Sequence, residues 1–195
     1  LKSAGTEVKY CDGDTKPSEG IYDRVIDMDI DPFDLQQCAD AVMRLRAEFL
    51  YQANCYDEIH FNFLSDGMPR YFLEYGNGKT DYRAFRKYMK YIFSYANTSS
   101  LHDELMAVDE KDDIQIGDVF IQKRRPYGHA VIVLDVAVNP ISSEREFILA
   151  QSFMPAQETQ VLINPSNGGV WYSIKSEIIN TPEWTFGWND LRRFP

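Results

Sequence analysis

The chain has 195 residues, with 20 Lys and Arg against 30 Asp and Glu, a formal net charge of −10 and a pI near 4.7. A field of that sign repels polyanions and argues against nucleic acid as a partner, while 44% apolar and 14% aromatic residues exclude a disordered chain. The length suits one domain, and no apolar run approaches the roughly 18–20 residues that cross a bilayer.

Residues 1–24 are polar, rich in Gly, Lys and Asp and without a period, and read as a lead-in; residues 25–195 read as a single α+β domain. A start at Leu1 rather than Met is expected of a processed or trimmed chain, from which any targeting segment would be missing. Residues 25–30 have the character of a first strand, broken at Asp31-Pro32. Asp34 is then expected to cap a helix over residues 35–51, in which Cys38, Ala41, Val42, Leu45 and Phe49 repeat at helical spacing as one apolar stripe. Ile59, Phe61 and Phe63 alternate along residues 58–64 as in a half-buried strand, and residues 71–75 predict a second, aromatic one. A Tyr- and Phe-rich helix follows over 81–96, and Ser100 is expected to cap another through Val108.

From there the pattern changes. Strands are predicted at 118–121, 129–138, 147–152, 160–163, 170–174 and 184–187, separated by Gly, Pro and Asn turns. Helices first and strands after, with hairpin-length gaps, predict an α+β fold with an antiparallel sheet. The basic run Lys123-Arg124-Arg125 reads as a solvated loop tip.

Cys11, Cys38 and Cys55 are too few for a disulfide scaffold. A Cys11–Cys55 bridge stays open in an oxidising compartment and would leave Cys38 as the odd thiol. Cys38 falls near the first turn of its helix, where unpaired N–H groups and the helix dipole favour a thiolate; a buried Cys acting as a small hydrophobe is the alternative. Gly128-His129 opens an apolar strand, a setting that His60, in mid-strand, and His102, on a polar helix, do not share. If residues 129–138 and 147–152 form a hairpin, facing residue numbers add to a constant of roughly 280–284, and any even constant puts His129 and Gln151 on one face. The Gln151 carbonyl could then accept the imidazole N–H and fix its tautomer, although a satisfied structural His is the alternative. Gln37 could offer its amide to an oxyanion or simply be solvated. Tyr127 and Met154 would wall such a site. Trp171-Tyr172 and Trp184 with Phe186 and Trp188 either line a ligand cleft or pack the core and edges.

No Cys or His pair has ligand spacing, no carboxylate pair is singled out for glycoside chemistry, and Gly168-Gly169 and Gly76-Asn77-Gly78 read as turns, so no metal and no cofactor is expected. The order of Gln37-Cys38 opening a helix, Gly117-Asp118 before a strand, Gly128-His129 opening the next strand and a polar residue ending the one after resembles the papain-like amidases, closest in layout to the CHAP and NlpC-type cell-wall hydrolases. That resemblance implies a helix bearing Cys38 packed on an antiparallel β-sheet, with Cys38 as nucleophile, His129 as base, Gln151 as orienting residue and Gln37 as oxyanion donor. It implies a peptide or peptidoglycan amide as substrate. Nearly full length, the chain also resembles a bacterial domain-of-unknown-function family through residues 34–48, 59–63, 128–133, 149–157 and 181–184. This second resemblance implies an exported protein of the Gram-negative envelope and names no reaction. The rival expectations are a non-catalytic binding or scaffold domain on the same fold, holding a peptide or glycan, and an acyltransferase using the same thioester.

Overall fold

In the computed structural model, which describes residues 1–17, 20–141 and 143–195, the first strand is β1, Tyr22–Val25. It ends where the 25–30 strand was expected to begin, because Asp29 and Asp31 turn away to the guanidinium groups of Arg44 and Arg86. Helix α1 spans Cys38–Gln52 and starts three residues later than expected, with Gln37 rather than Asp34 at its N-cap. Asp40, in the first turn, accepts the Gln37 N–H at 3.0 Å and so sets the start. Its stripe also differs from expectation. Cys38, Ala41 and Val42 are buried as the stripe requires, but Leu45 is half-buried and Phe49 65% exposed, while Ala39, Met43, Ala47 and Leu50 are buried besides.

Strands β2 (His60–Asn62) and β3 (Pro69–Tyr71) form a short hairpin, with Ile59, Phe61 and Phe63 all buried as their alternation requires. The strand expected at 71–75 is instead a single helical turn, α2 (Phe72–Tyr75), whose Phe72 ring packs among Tyr51, Phe85 and Tyr88. Helix α3 (Tyr82–Tyr95) follows, capped by Asp81 through the Ala84 N–H. Helix α4 (Thr98–Glu104) is capped by Asn97, which accepts the N–H groups of Ser99 and Ser100; Ser100, the expected cap, answers through its hydroxyl to the Asn97 N–H.

The remaining strands are β4 (Met106–Ala107), β5 (Val119–Gln122), β6 (His129–Val138), β7 (Arg145–Gln151), β8 (Gln160–Leu162), β9 (Trp171–Ser173), β10 (Ile178–Asn180), β11 (Thr185–Gly187) and β12 (Leu191–Arg193). The main sheet is antiparallel throughout in the order β1-β8-β7-β6-β5-β12-β4, with β9 joined to β7; β10 and β11 pair separately. The fold is therefore α+β with an antiparallel sheet.

Period-two alternation gives the sheet two cores. Val119, Ile121, Ala130 and Ile132 face α1 and α3, while Phe120, Val131, Val133, Phe147 and Leu149 face Tyr172, Ile179, Phe186 and Leu191. In the 1–24 segment, read above as a lead-in, the described residues pack onto the sheet: Val8 is fully buried, Tyr10 bridges Gln157, and β1 pairs with β8. Lys9, Tyr10 and Lys16 are held there by tertiary contacts, which carry no local period. Cys11, Cys38 and Cys55 are all unpaired thiols. Among the described residues, no helix is long and apolar enough to cross a membrane.

Candidate active site

Cys38 is the first residue of α1 and is buried against the entrance of β6. Strand β7 pairs with β6 only as far as Ile132 opposite Ala150, and beyond that point Gln151 turns to β8. The Ala130 N–H is thus left by the strand ladder and points at the Cys38 sulfur, as does the Ala39 N–H of the helix terminus. Cys38 Sγ also lies 3.8 Å from Thr98 Oγ1, at the start of α4. Gly128 makes the approach of these elements feasible: a Cβ there would stand 2.2 Å from the Gln122 carbonyl oxygen and 2.9 Å from Thr98 Cγ2.

His129 and Gln151 come together. The β6–β7 register pairs Ile132 with Ala150 and Val133 with Leu149, an even total, so the two odd-numbered residues share a face. His129 Nε2 lies 2.8 Å from Gln151 Oε1. The imidazole is packed between Phe153, Trp184 and Phe186, with centroids at 4.7, 5.1 and 6.0 Å. Alternation along β6 turns His129 toward the face of Val131 and Val133, while Ala130 faces α1. Sulfur and ring are therefore divided by the β6 backbone, with the ring on the face away from α1. No hydrogen bond joins them, and among the described residues Nδ1 makes none.

Burial dominates the electrostatics. It holds the Cys38 thiol above its ordinary pKa; the Thr98 hydroxyl lowers it, the Asp40 charge raises it, and the Ala130 and Ala39 N–H groups lower it. The expected helix-terminus preference for a thiolate is outweighed. Burial also pushes His129 down to about 4, opposed by the Gln151 bond and reinforced by the charge of Lys16. The resting pair is a thiol and a neutral imidazole. Asp40, two residues beyond Cys38, is driven up to about 8 by burial, and its Oδ1 has no hydrogen-bond partner.

A cavity of about 190 Å³ opens over the sulfur, lined by Gln37, Cys38, Asp40, Thr98, Tyr127 and Met154 among others. Tyr127 and Met154, expected as walls of the site, both line this cavity. Gln37 lines the cavity as well, with its Nε2 donating to Asp34 Oδ1 at 2.9 Å. The same Asp34 oxygen accepts the Ala156 N–H at 2.7 Å, tying the helix entrance to the loop after β7. Trp171 does not belong to the site: it sits in β9 opposite Ile148, toward the middle of β7 and away from the Gln151 end.

Sequence reasoning missed Thr98, Asp40, Glu183 and Lys16. Gln151 Nε2 donates to Glu183 Oε2 at 2.6 Å, and Lys16 Nζ is 2.6 Å from that oxygen. Glu183 lay within a stretch singled out above, whereas Lys16 gave no signal in a segment without period. Among the described residues, no group of three or more His, Cys, Asp or Glu side chains could hold a metal ion.

The model of the family described as Domain of unknown function (4846), DUF4846, matches residues 1–193, and the chain belongs to that family. No curated protein and no solved structure matches it.

Proposed function

We propose that this family member is a cysteine-dependent amide hydrolase of papain-like, NlpC/CHAP-type layout, acting on a peptide or peptidoglycan-type amide in the cell envelope. The observation that carries the reading is the His129–Gln151 bond at 2.8 Å, which engages Nε2 on the residue next to Ala130, whose N–H is turned to the Cys38 sulfur. In this scheme the His129 ring must swing round the entrance of β6 to the sulfur, where Cys38 leaves Thr98 and passes its proton to Nδ1 as the sulfur attacks the amide carbonyl. The oxyanion would be met by the Cys38 backbone N–H at the helix terminus and by Gln37 Nε2. His129 then protonates the leaving amine, and water releases the acyl group from sulfur. Substrate class rests on the resemblance of motif order and location on the resemblance to the domain-of-unknown-function family, and Tyr127 and Met154 would form the walls that hold the chain of the substrate.

One observation favours a second reading. A buried thiol bonded to Thr98, with burial raising its pKa, also suits a non-catalytic domain that binds a peptide or glycan. Native iodoacetamide labelling titrated against pH, with the adduct located by mass spectrometry, separates the two. The hydrolase reading expects Cys38 to label in the folded protein and His129→Ala to slow that labelling by on the order of 10²-fold. Labelling of Cys38 only after denaturation would end that reading.

A further inference from the structure

We infer that Glu183, held by Lys16, is a positioning residue that orients the Gln151 carboxamide and thereby fixes the tautomer of His129. The inference rests on the reading of Cys38 and His129 as nucleophile and base. A carboxamide has a donor end and an acceptor end of nearly equal shape, so its neighbours decide which way it faces. Gln151 lies between two such neighbours, with Nε2 at 2.6 Å from Glu183 Oε2 and Oε1 at 2.8 Å from His129 Nε2.

A carboxylate only accepts hydrogen bonds, so Glu183 takes the amino end of Gln151 and the carbonyl end is turned to the ring. The ring nitrogen that meets a carbonyl must carry the proton. His129 is therefore held as the Nε2–H tautomer, with its lone pair on Nδ1, the nitrogen a base would use. Lys16 completes the chain. Its side chain is 4% exposed and its ammonium lies 2.6 Å from Glu183 Oε2, an ion pair that anchors the oxygen Gln151 donates to. Lys16 also stands 5.6 Å over the Phe153 ring, and Phe153 packs on His129. Four side chains from distant parts of the sequence thus run Lys16–Glu183–Gln151–His129. Without the first two, Gln151 could flip and offer its amino end to the ring, which would move the proton to Nδ1 and remove the base.

Long-range proton–nitrogen correlation spectra of the chain labelled with ¹⁵N-histidine and ¹⁵N-glutamine report the ring proton directly. Near pH 7 the wild-type protein should show His129 as the single Nε2–H tautomer. Glu183→Gln, whose own carboxamide can face either way, and Lys16→Met should each give a mixture of tautomers with shifted Gln151 amide resonances. Cys38 alkylation in both variants should slow by about tenfold or more. A wild-type Nδ1–H tautomer overturns the inference, as do variants that leave both the tautomer and the Gln151 resonances unchanged. If the variants fail to fold, the wild-type tautomer decides alone. Because the tautomer is read without any reaction, an inert Cys38 beside an Nε2–H ring that responds to Glu183→Gln sinks the hydrolase reading and upholds the orienting chain.

Discussion

Gly128 and Gln122 approach so closely that a Cβ on the glycine would lie 2.2 Å from the Gln122 carbonyl oxygen. The obstacle is backbone on a central strand, so it cannot swing aside as a side chain would. Gly128→Ala is expected to push the β6 entrance off β5, at a cost of about 2–3 kcal/mol of overpacking. For a chain of this size that is about 4–12 °C in Tm, read by calorimetry. Since His129 follows directly, the variant should also disturb the His129–Gln151 bond.

How much of this was legible in the sequence follows the length of each element. Strand β6 has ten residues with a long apolar run, and its bounds, 129–138, were readable to the residue. Helix α3, with Asp81 as its cap, was equally clear. Strands β4 and β12 have two and three residues, too few for any period, and exist because the sheet edge offers them partners. The start of α1 was misread because Asp34 and Asp40 both carry the chemistry of a helix terminus, and only the fold shows Asp34 spent on Ala156. In the site, Gln151 was reachable from strand parity, but the lateral position of the Cys38 sulfur against Ala130 depends on where β7 parts from β6, which no pattern records.

Burial of His129 makes a prediction about acid stability. Its folded pKa of about 4 lies below the ordinary 6.5, so the folded state prefers the neutral ring. That contribution is fully present above about pH 6.5 and is lost as pH falls toward 4, by about 3 kcal/mol across the window. His129→Gln, which keeps a donor for Gln151, should remove this slope. Urea denaturation of both proteins at pH 7 and pH 4 isolates it, and parallel stability curves would contradict the buried neutral imidazole.

Arg44 is fully buried, with its guanidinium shared among Glu48, Gln36, Asp29 and Tyr82. Glu48 is the close partner, at 2.6 Å, and its side chain is 15% exposed. Arg44→Leu strands that carboxylate beside a half-dry core and should cost about 3–5 kcal/mol in chemical denaturation. Asp29 is 70% exposed, so Asp29→Ala, at the far side of the same cluster, should change stability by no more than about 0.5 kcal/mol. Equal effects of the two substitutions would show that the cluster does not distribute its energy by burial.

Asp40 titrates in the opposite sense to His129. Its folded pKa, about 8, lies above the ordinary 3.8, so the folded state prefers the protonated acid. Stability from that preference is complete below about pH 4 and is lost as pH rises through 8. Asp40→Asn keeps an oxygen for the Gln37 N–H, has the same shape and cannot ionise. The variant should therefore gain on the wild type between pH 4 and pH 8, by on the order of 3–5 kcal/mol. A second effect follows at the sulfur, because the Asp40 charge is one of the causes that hold the Cys38 thiol up. At pH 9 the wild type carries that charge and the variant does not, so Cys38 alkylation should be faster in Asp40→Asn, while at pH 6, with both side chains neutral, the two rates should converge. Rates that differ by the same factor at both values would mean that Asp40 acts on Cys38 through shape and not through its proton.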